Sequence, residues 1–216
     1  DKTEMFEATN NPEDKDAGTR EISFSKHLWI ERSDFMVDPF KKYYRLYPGN
    51  EVRLMNAYFV TCTGYDEDDD GNITKVYAEY DPASRGGSSP DGRKVRGTIH
   101  WVDQKTAMDA EVRMYDRLFI EEDSDAADDY HDVLNPDSLV VIPHAKLEAS
   151  LQDEDDHATY QFMRKGYFCR DSKDSSKEQP VFNLTATLRD TFNKKKNKKK
   201  RYSEYQLAPN QMYFPL

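Results

Sequence analysis

Apolar and polar positions alternate along this chain in short runs broken by turn residues, a period that belongs to strands rather than helices. Leu28-Trp-Ile30, residues 52–63 and residues 73–80 carry the β-branched and aromatic side chains that fit a pleated surface. Asp70-Gly71-Asn72, between two of these runs, is a hairpin signal, because Asp-Gly tolerates the positive φ of a tight turn. Residues 80–90, with Gly86-Gly87-Ser88-Ser89, read as a mobile loop. Strand patterns resume at 95–102, 111–119, 139–142, 158–163, 166–169 and 181–188. Helical signal is sparse. Residues 34–46 put Phe35, Tyr43 and Leu46 at roughly helical intervals, interrupted by Pro39, and residues 125–133 offer a second short candidate. Many short strands with few helices predict an all-β chain of small β-barrels.

Composition narrows this reading. At 216 residues the chain has room for two small barrels, and 37% hydrophobic beside 33% charged residues suits thin-cored modules better than one thick core. Fourteen Tyr and 11 Phe beside 9 Gly supply rings for wet surfaces as well as cores. A formal net charge of −10 argues against nucleic-acid binding on electrostatics alone. Much of the acid, however, sits in runs at 66–70, 121–129 and 153–156 that read as solvated loops, so the strands bearing Arg and Lys can keep a positive local field. Cys62 and Cys169 have neither metal-ligand nor disulfide spacing and read as small core residues. No apolar run reaches the length of a membrane span and no signal peptide is visible, so a cytoplasmic protein is expected.

Residues 1–19 are acidic and read as a disordered lead. A first barrel is expected over 20–135 and a second over 136–192, with strands consecutive or shared between them. A tail follows over 193–216, in which residues 194–201 form a cationic block. That block is either a mobile, non-specific aid to RNA binding or a solubilising tail.

Candidate catalytic and metal chemistry is thin. Asp66-Glu-Asp-Asp-Asp70-Gly71 begins like a calcium loop, but the bidentate Glu needed at its twelfth position is Tyr77, so an acidic hairpin tip is expected. His100 has no accompanying nucleophile motif and reads as a structural, half-buried histidine. Asp116 reads as an ion-pair partner of Arg113 or Arg117. No metal or cofactor site can be assembled.

Gly97-Thr-Ile-His-Trp-Val102 and Glu111-Val-Arg-Met-Tyr-Asp-Arg-Leu-Phe119 resemble the C-terminal anticodon-binding region of glutaminyl-tRNA synthetases. Further matches lie upstream at Glu51-Val-Arg-Leu-Met-Asn-Ala-Tyr58 and Asp91-Gly-Arg-Lys-Val95. Others lie downstream at Asn135-Pro-Asp-Ser-Leu-Val140, Gln161-Phe-Met-Arg-Lys-Gly-Tyr-Phe-Cys169, Pro180-Val-Phe-Asn183 and Leu188-Arg-Asp-Thr191. The resemblance runs in order from Arg20 to Phe192.

It implies two ribosomal-protein-like β-barrels that read the anticodon loop of glutamine tRNA. The partner would be a catalytic part of the same polypeptide, which binds ATP and glutamine. The signatures of that catalytic part are missing here, so no catalytic residue and no cofactor are expected in this chain, and a monomer is expected. Carried over position by position, Arg45 aligns with a reader of the third anticodon base, a G, and Arg53 with one of two Arg near the first base. Gln161 and Arg164 align with residues near the middle base, a U, and Thr191 with a further position near the anticodon. Met55 and Met163 stand where the family has Arg and Glu, and Met offers packing with only a weak acceptor. A second functional class is a protein-interaction module docking partners through exposed Tyr and the basic tail. A stand-alone enzyme comes third.

Overall fold

Burial that alternates along strands such as His27–Ile30, Glu51–Leu54 and Met108–Tyr115 gives them one inner face, and the described strands assemble into three sheets. The structure, a computed structural model, describes residues 2–121, 123, 128–152, 158–188 and 210–213. It is all-β, and the helical turns among the described residues are of the 3-10 kind. Among the described residues, no helix is long and apolar enough to cross a membrane. The chain divides into two units: Asp1–Met108, Lys146–Leu151 and Ala208–Leu216 form unit 1, and Asp109–Ala145 with Gln152–Leu207 form unit 2. The units are thus interleaved along the chain, and the main crossing follows Met108 rather than the expected residue 135. Composition could not reveal this crossing, because it is set by pairing between distant strands.

In unit 1, β1 (Glu4–Thr9) and β2 (Thr19–Phe24) make an antiparallel hairpin. The expected disordered lead is therefore corrected: Phe6 and Ala8 are buried, and Phe6 meets Phe24 and Tyr58 edge-on with centroids 5.9 and 5.3 Å away. One aromatic ring at the right phase outweighs an acidic composition, since such a ring is the largest apolar surface a small core can recruit.

The larger sheet contains β3 (His27–Ile30), β4 (Glu51–Leu54), β5 (Phe59–Glu67), β6 (Ile73–Asp81), β7 (Thr98–Ile99), β8 (Trp101–Asp103) and β14 (Asn210–Tyr213). Its order is β7-β4-β5-β6-β14-β3-β8, an open sequence of neighbours. Backbone pairing antiparallel to β3 and parallel to β6 ties residues 210–213 into this sheet. The Lys-rich block at 194–201 lies outside the described residues. Leu28, Val52, Leu54, Val60, Val76 and Ile99 are fully buried at the centre of the unit.

Two local readings change. Residues 52–63 are two strands, because Asn56 takes a φ of +61° and turns β4 back into β5. Asn is among the few side chains that visit this region readily. Residues 34–46 form no helix: Pro39 and the positive φ of Lys42 (+71°) make a loop, whose buried ends Phe35 and Leu46 bridge one another. The Asp-Gly hairpin is present between β5 and β6. There the Asp68 carboxylate accepts the N–H groups of Asn72 and Asp70, and these donors hold its pKa below the ordinary value.

The five-stranded sheet of unit 2 is built from β9 (Met108–Tyr115, all but its first residue in this unit), β10 (Leu139–Leu147, as far as Ala145 in this unit), β11 (Thr159–Phe162), β12 (Gly166–Arg170) and β13 (Val181–Ala186), in the order β10-β9-β13-β12-β11. β13 runs parallel to β9, with Val181 opposite Glu111. Its core is Val112, Met114, Phe168 and Phe182, with Phe162 stacked on Phe168 at 4.3 Å. Within residues 125–133 the described helical element is one 3-10 turn, Tyr130–Val133, capped by Asp129. Arg113 does not pair with Asp116. It donates instead to Glu111 and Asp174, each at 2.6 Å, while Asp116 accepts the backbone N–H of Arg117. Cys62 is a core residue of unit 1, and Cys169 is half-buried on β12.

The stretch Lys146–Leu151 returns to unit 1, where Glu148 is held by Arg20 (2.6 and 3.0 Å) and by His100 Nε2 (3.2 Å). His100 is thus the structural, half-buried residue expected. Burial pushes the Glu148 carboxyl up, but the hydrogen bonds from His100 and Arg20 outweigh burial and hold it at about 2, below its ordinary 4.5. A folded pKa below the unfolded one stabilises fully above pH 4.5, and that contribution is lost as pH falls towards 2. Glu148→Gln is expected to lower stability by roughly 2 kcal/mol at neutral pH. In urea unfolding followed against pH, the gap between variant and parent should close between pH 4.5 and 2.

Candidate nucleic-acid interface

The loop between Phe35 and Leu46 lifts a polar tip out of unit 1. Its ends are tied by Met36 N–H to Leu46 O (3.1 Å) and Leu46 N–H to Asp34 O (2.9 Å), so its middle faces solvent. Phe40 and Tyr44 there are 64% and 48% exposed. Opposite runs the segment leading into β7, where Gly97 allows a close approach: a Cβ at this position would lie 2.4 Å from the Tyr44 carbonyl oxygen.

Between the two segments is an open groove of about 550 Å³, lined among others by Lys41, Lys42, Tyr44, Tyr47, Lys94 and Arg96. The Arg96 guanidinium lies 5.6 Å from the Tyr44 ring centroid. Among the described residues lining it, the only acid is Glu51, which already accepts two hydrogen bonds from Arg93. A groove with four cations and exposed rings provides what unpaired nucleotides require, namely charge for phosphates and flat surfaces for bases. Sequence reasoning passed over Lys41, Lys42, Tyr44, Lys94 and Arg96 as site residues, although Lys41-Lys-Tyr-Tyr44 directly before Arg45 carried the signal.

Arg45 borders this loop and is anchored from beneath. Its NH1 donates to Ser33 O at 2.8 Å, and its Nε lies 3.3 Å from Oδ1 of the fully buried Asp34. Its NH2 makes no hydrogen bond within the described residues. Arg53, on β4, differs: its guanidinium lies 5.3 Å from the Phe59 ring centroid, and its buried Nε–H has no acceptor.

Gln161 and Arg164 belong to unit 2. Gln161 is exposed on β11, opposite the exposed Tyr167 of β12. Arg164 sits at the tip of the β11–β12 hairpin with a φ of +62°, in a turn closed by Lys165 N–H to Phe162 O (2.9 Å). This conformation costs a non-glycine residue about 1–2 kcal/mol. Arg45 and Arg53 therefore share one unit, and Gln161 and Arg164 share one hairpin of the other. Thr191 lies outside the described residues.

Two outcomes follow from these contacts. Arg45→Ala leaves the buried Asp34 carboxylate without its guanidinium and is expected to destabilise the chain by about 3 kcal/mol in urea unfolding, with Arg45→Lys costing less. Arg164→Gly relieves the backbone but also removes the contacts of the side chain, so stability in urea unfolding is expected to change by less than about 1 kcal/mol.

Comparison with known proteins accords with this geometry. A family profile described as tRNA synthetases class I (E and Q), anti-codon binding domain, matches residues 1–81, and a second of the same description matches residues 98–171. Arg45 and Arg53 fall in the first match, Gln161 and Arg164 in the second. The glutamine–tRNA ligase of Bradyrhizobium diazoefficiens is 49% identical over 193 residues, 89% of this chain and 34% of that protein. Those of Clostridium kluyveri and Tolumonas auensis are 46% identical over 199 residues and 48% over 192 residues, covering 91% and 89% of this chain and 36% and 35% of those proteins. The chain spans about a third of the length of the curated relatives it matches. On these matches, it belongs to the anticodon-binding domains of the class I (E and Q) tRNA synthetases.

Proposed function

We propose that this chain binds and reads the anticodon loop of glutamine tRNA as the C-terminal region of a glutamine–tRNA ligase. The observation that carries this reading is the groove of unit 1, where Lys41, Lys42, Lys94 and Arg96 surround the exposed Tyr44 in a chain of net charge −10. Arg45 stands at its border, in a segment matched by the anticodon-binding profile. The names of the relatives, all glutamine–tRNA ligases, supply the choice of tRNA.

In this reading the groove attracts the phosphates of the loop, and Tyr44 and Arg96 offer planes for stacking. Arg45, already fixed by Asp34 and Ser33, directs its remaining N–H groups at a base edge. A fixed planar donor pair matches the N7 and O6 acceptors of G, which supports Arg45 as the third-base reader. Gln161 and Arg164 serve the middle base, Arg53 the first, and Thr191 a neighbouring position. Chemistry on glutamine and ATP belongs to the catalytic part of the same polypeptide, and the whole acts as a cytoplasmic monomer. The exposed Leu118, Ile120, Leu139 and Val141 of unit 2 are apolar surface suited to contact with that part.

The test is binding of anticodon stem-loops across a salt series. The chain is expected to prefer the glutamine stem-loop over non-cognate ones. Replacing Lys41, Lys42, Lys94 and Arg96 with Gln should lower all affinities together and make the log–log salt slope shallower by up to roughly 3 units, about 0.7 for each lost contact. Equal affinity for all stem-loops, or an unchanged slope, would count against the groove. The purified chain alone is expected to show no charging of glutamine tRNA.

A further inference from the structure

Arg53 and Arg93 approach the same ring, with guanidinium carbons 5.3 and 5.1 Å from the centroid of the buried Phe59, yet they are used in opposite ways. Arg93 is saturated. Its Nε–H donates to Glu51 Oε2 (3.0 Å), NH1 to Ser89 Oγ and Asp91 Oδ2 (both 2.7 Å), and NH2 to Glu51 Oε1 (2.8 Å) and Asp81 Oδ2 (2.6 Å). All five donors of a guanidinium are thereby satisfied. Arg53 makes no hydrogen bond from its side chain within the described residues, and its Nε–H is buried without an acceptor.

The pairing explains this contrast. Glu51 and Arg53 lie two apart on β4, so their side chains leave the same face of the strand. Glu51 is the natural ion-pair partner of Arg53, but Arg93 holds both of its carboxylate oxygens. The segment carrying Arg93 also touches Arg53 directly. Gly87, at a φ of +81°, lies so close that a Cβ there would be 3.1 Å from Arg53 Cδ and 3.5 Å from its Nε.

We infer that residues 81–93 form a brace for Arg53: Gly87 seats its aliphatic stem, and Arg93 withdraws the neighbouring carboxylates so that its terminal nitrogens stay open to RNA. Gly87 and Arg93 are positioning residues, and their role in recognition rests on the proposed contact of Arg53 with the anticodon loop. An arginine side chain loses considerable rotamer freedom when it binds. Fixing it beforehand removes part of that ordering cost from the binding step.

The test is a double-mutant cycle on the full chain, read with the glutamine anticodon stem-loop and with guanidinium NMR of the free protein. In the parent, the Arg53 Nε–H is expected to exchange slowly. In Gly87→Ala, and in Arg93→Lys, which keeps the charge with three donors, its resonance should shift and its exchange should quicken. Arg53→Met is expected to weaken stem-loop binding by about tenfold or more. Gly87→Ala should weaken binding in the parent but change it by less than about twofold in the Arg53→Met background.

An equal loss in both backgrounds would overturn the brace while leaving Arg53 as an RNA contact. Fast Nε–H exchange in the parent would overturn it without reference to RNA. Slow exchange combined with full binding by Arg53→Met would overturn the recognition role of Arg53, and with it the purpose assigned to Gly87 and Arg93.

Discussion

A chain with a net charge of −10 can present a positive surface only where its carboxylates are remote or already held. That constraint organises this structure. Arg20 holds Glu148, Arg93 takes up Glu51, Asp81 and Asp91, and Arg113 gathers Glu111, Asp171 and Asp174. These are structural arginines, and each ties together segments far apart in sequence. Asp91 and Asp171 are both held at about 2, chiefly by backbone N–H donors at Arg93 and Asp174, so they stay charged and committed at any physiological pH. The groove cations Lys41, Lys42, Lys94 and Arg96 form no ion pairs within the described residues, and the one acid beside them is occupied. The positive groove is thus a consequence of where the acids are bound, which net charge cannot express.

A second constraint is the thinness of the cores. Strands that bury alternate residues give each unit a single apolar layer, so the outward positions and the loops are left for polar work. In unit 1, rings meeting edge-on complete the layer: Phe24 contacts both Tyr58 and Trp101, with centroids 5.3 and 5.4 Å away. The loop carrying Lys41 to Arg45 is fastened to this layer through the buried Phe35, Tyr43 and Leu46. It can therefore vary its tip without disturbing the core, while Gly97 fixes its distance from the facing segment.

Much of the fold was legible because strand periodicity and Asp-Gly turn chemistry are local. β6 and the turn leading into it lie where the sequence puts them, and the all-β class follows from the same signals. The failures came where a non-local contact decided. Phe6 orders residues 4–9 by packing on Phe24 and Tyr58, which no property of an acidic segment announces. Asn56 splits an apparently continuous run, and its φ of +61° is visible only once Leu54 N–H is seen bonded to Tyr58 O at 2.8 Å. The parallel pairing of β13 with β9, and the return of Glu148 to Arg20, decide which stretches belong together, and neither leaves a compositional trace.

The candidate site was legible in a different way. Family resemblance supplied Arg45, Arg53, Gln161 and Arg164, but it could not tell an arginine anchored by a buried carboxylate from one left without acceptors. Backbone geometry adds an independent argument. Among the described residues, positive φ occurs outside glycine at Lys42, Asn56 and Arg164. Asn56 needs no further account, since Asn suits a hairpin turn. Lys42 is a long cation at an exposed loop tip, where Gly would cost the backbone less. Lys42 lines the groove of unit 1, and Arg164 stands beside Gln161 on the hairpin of unit 2. Strain kept at the exposed Lys42 gains nothing for the core, and it sets that charge in the lining of the groove.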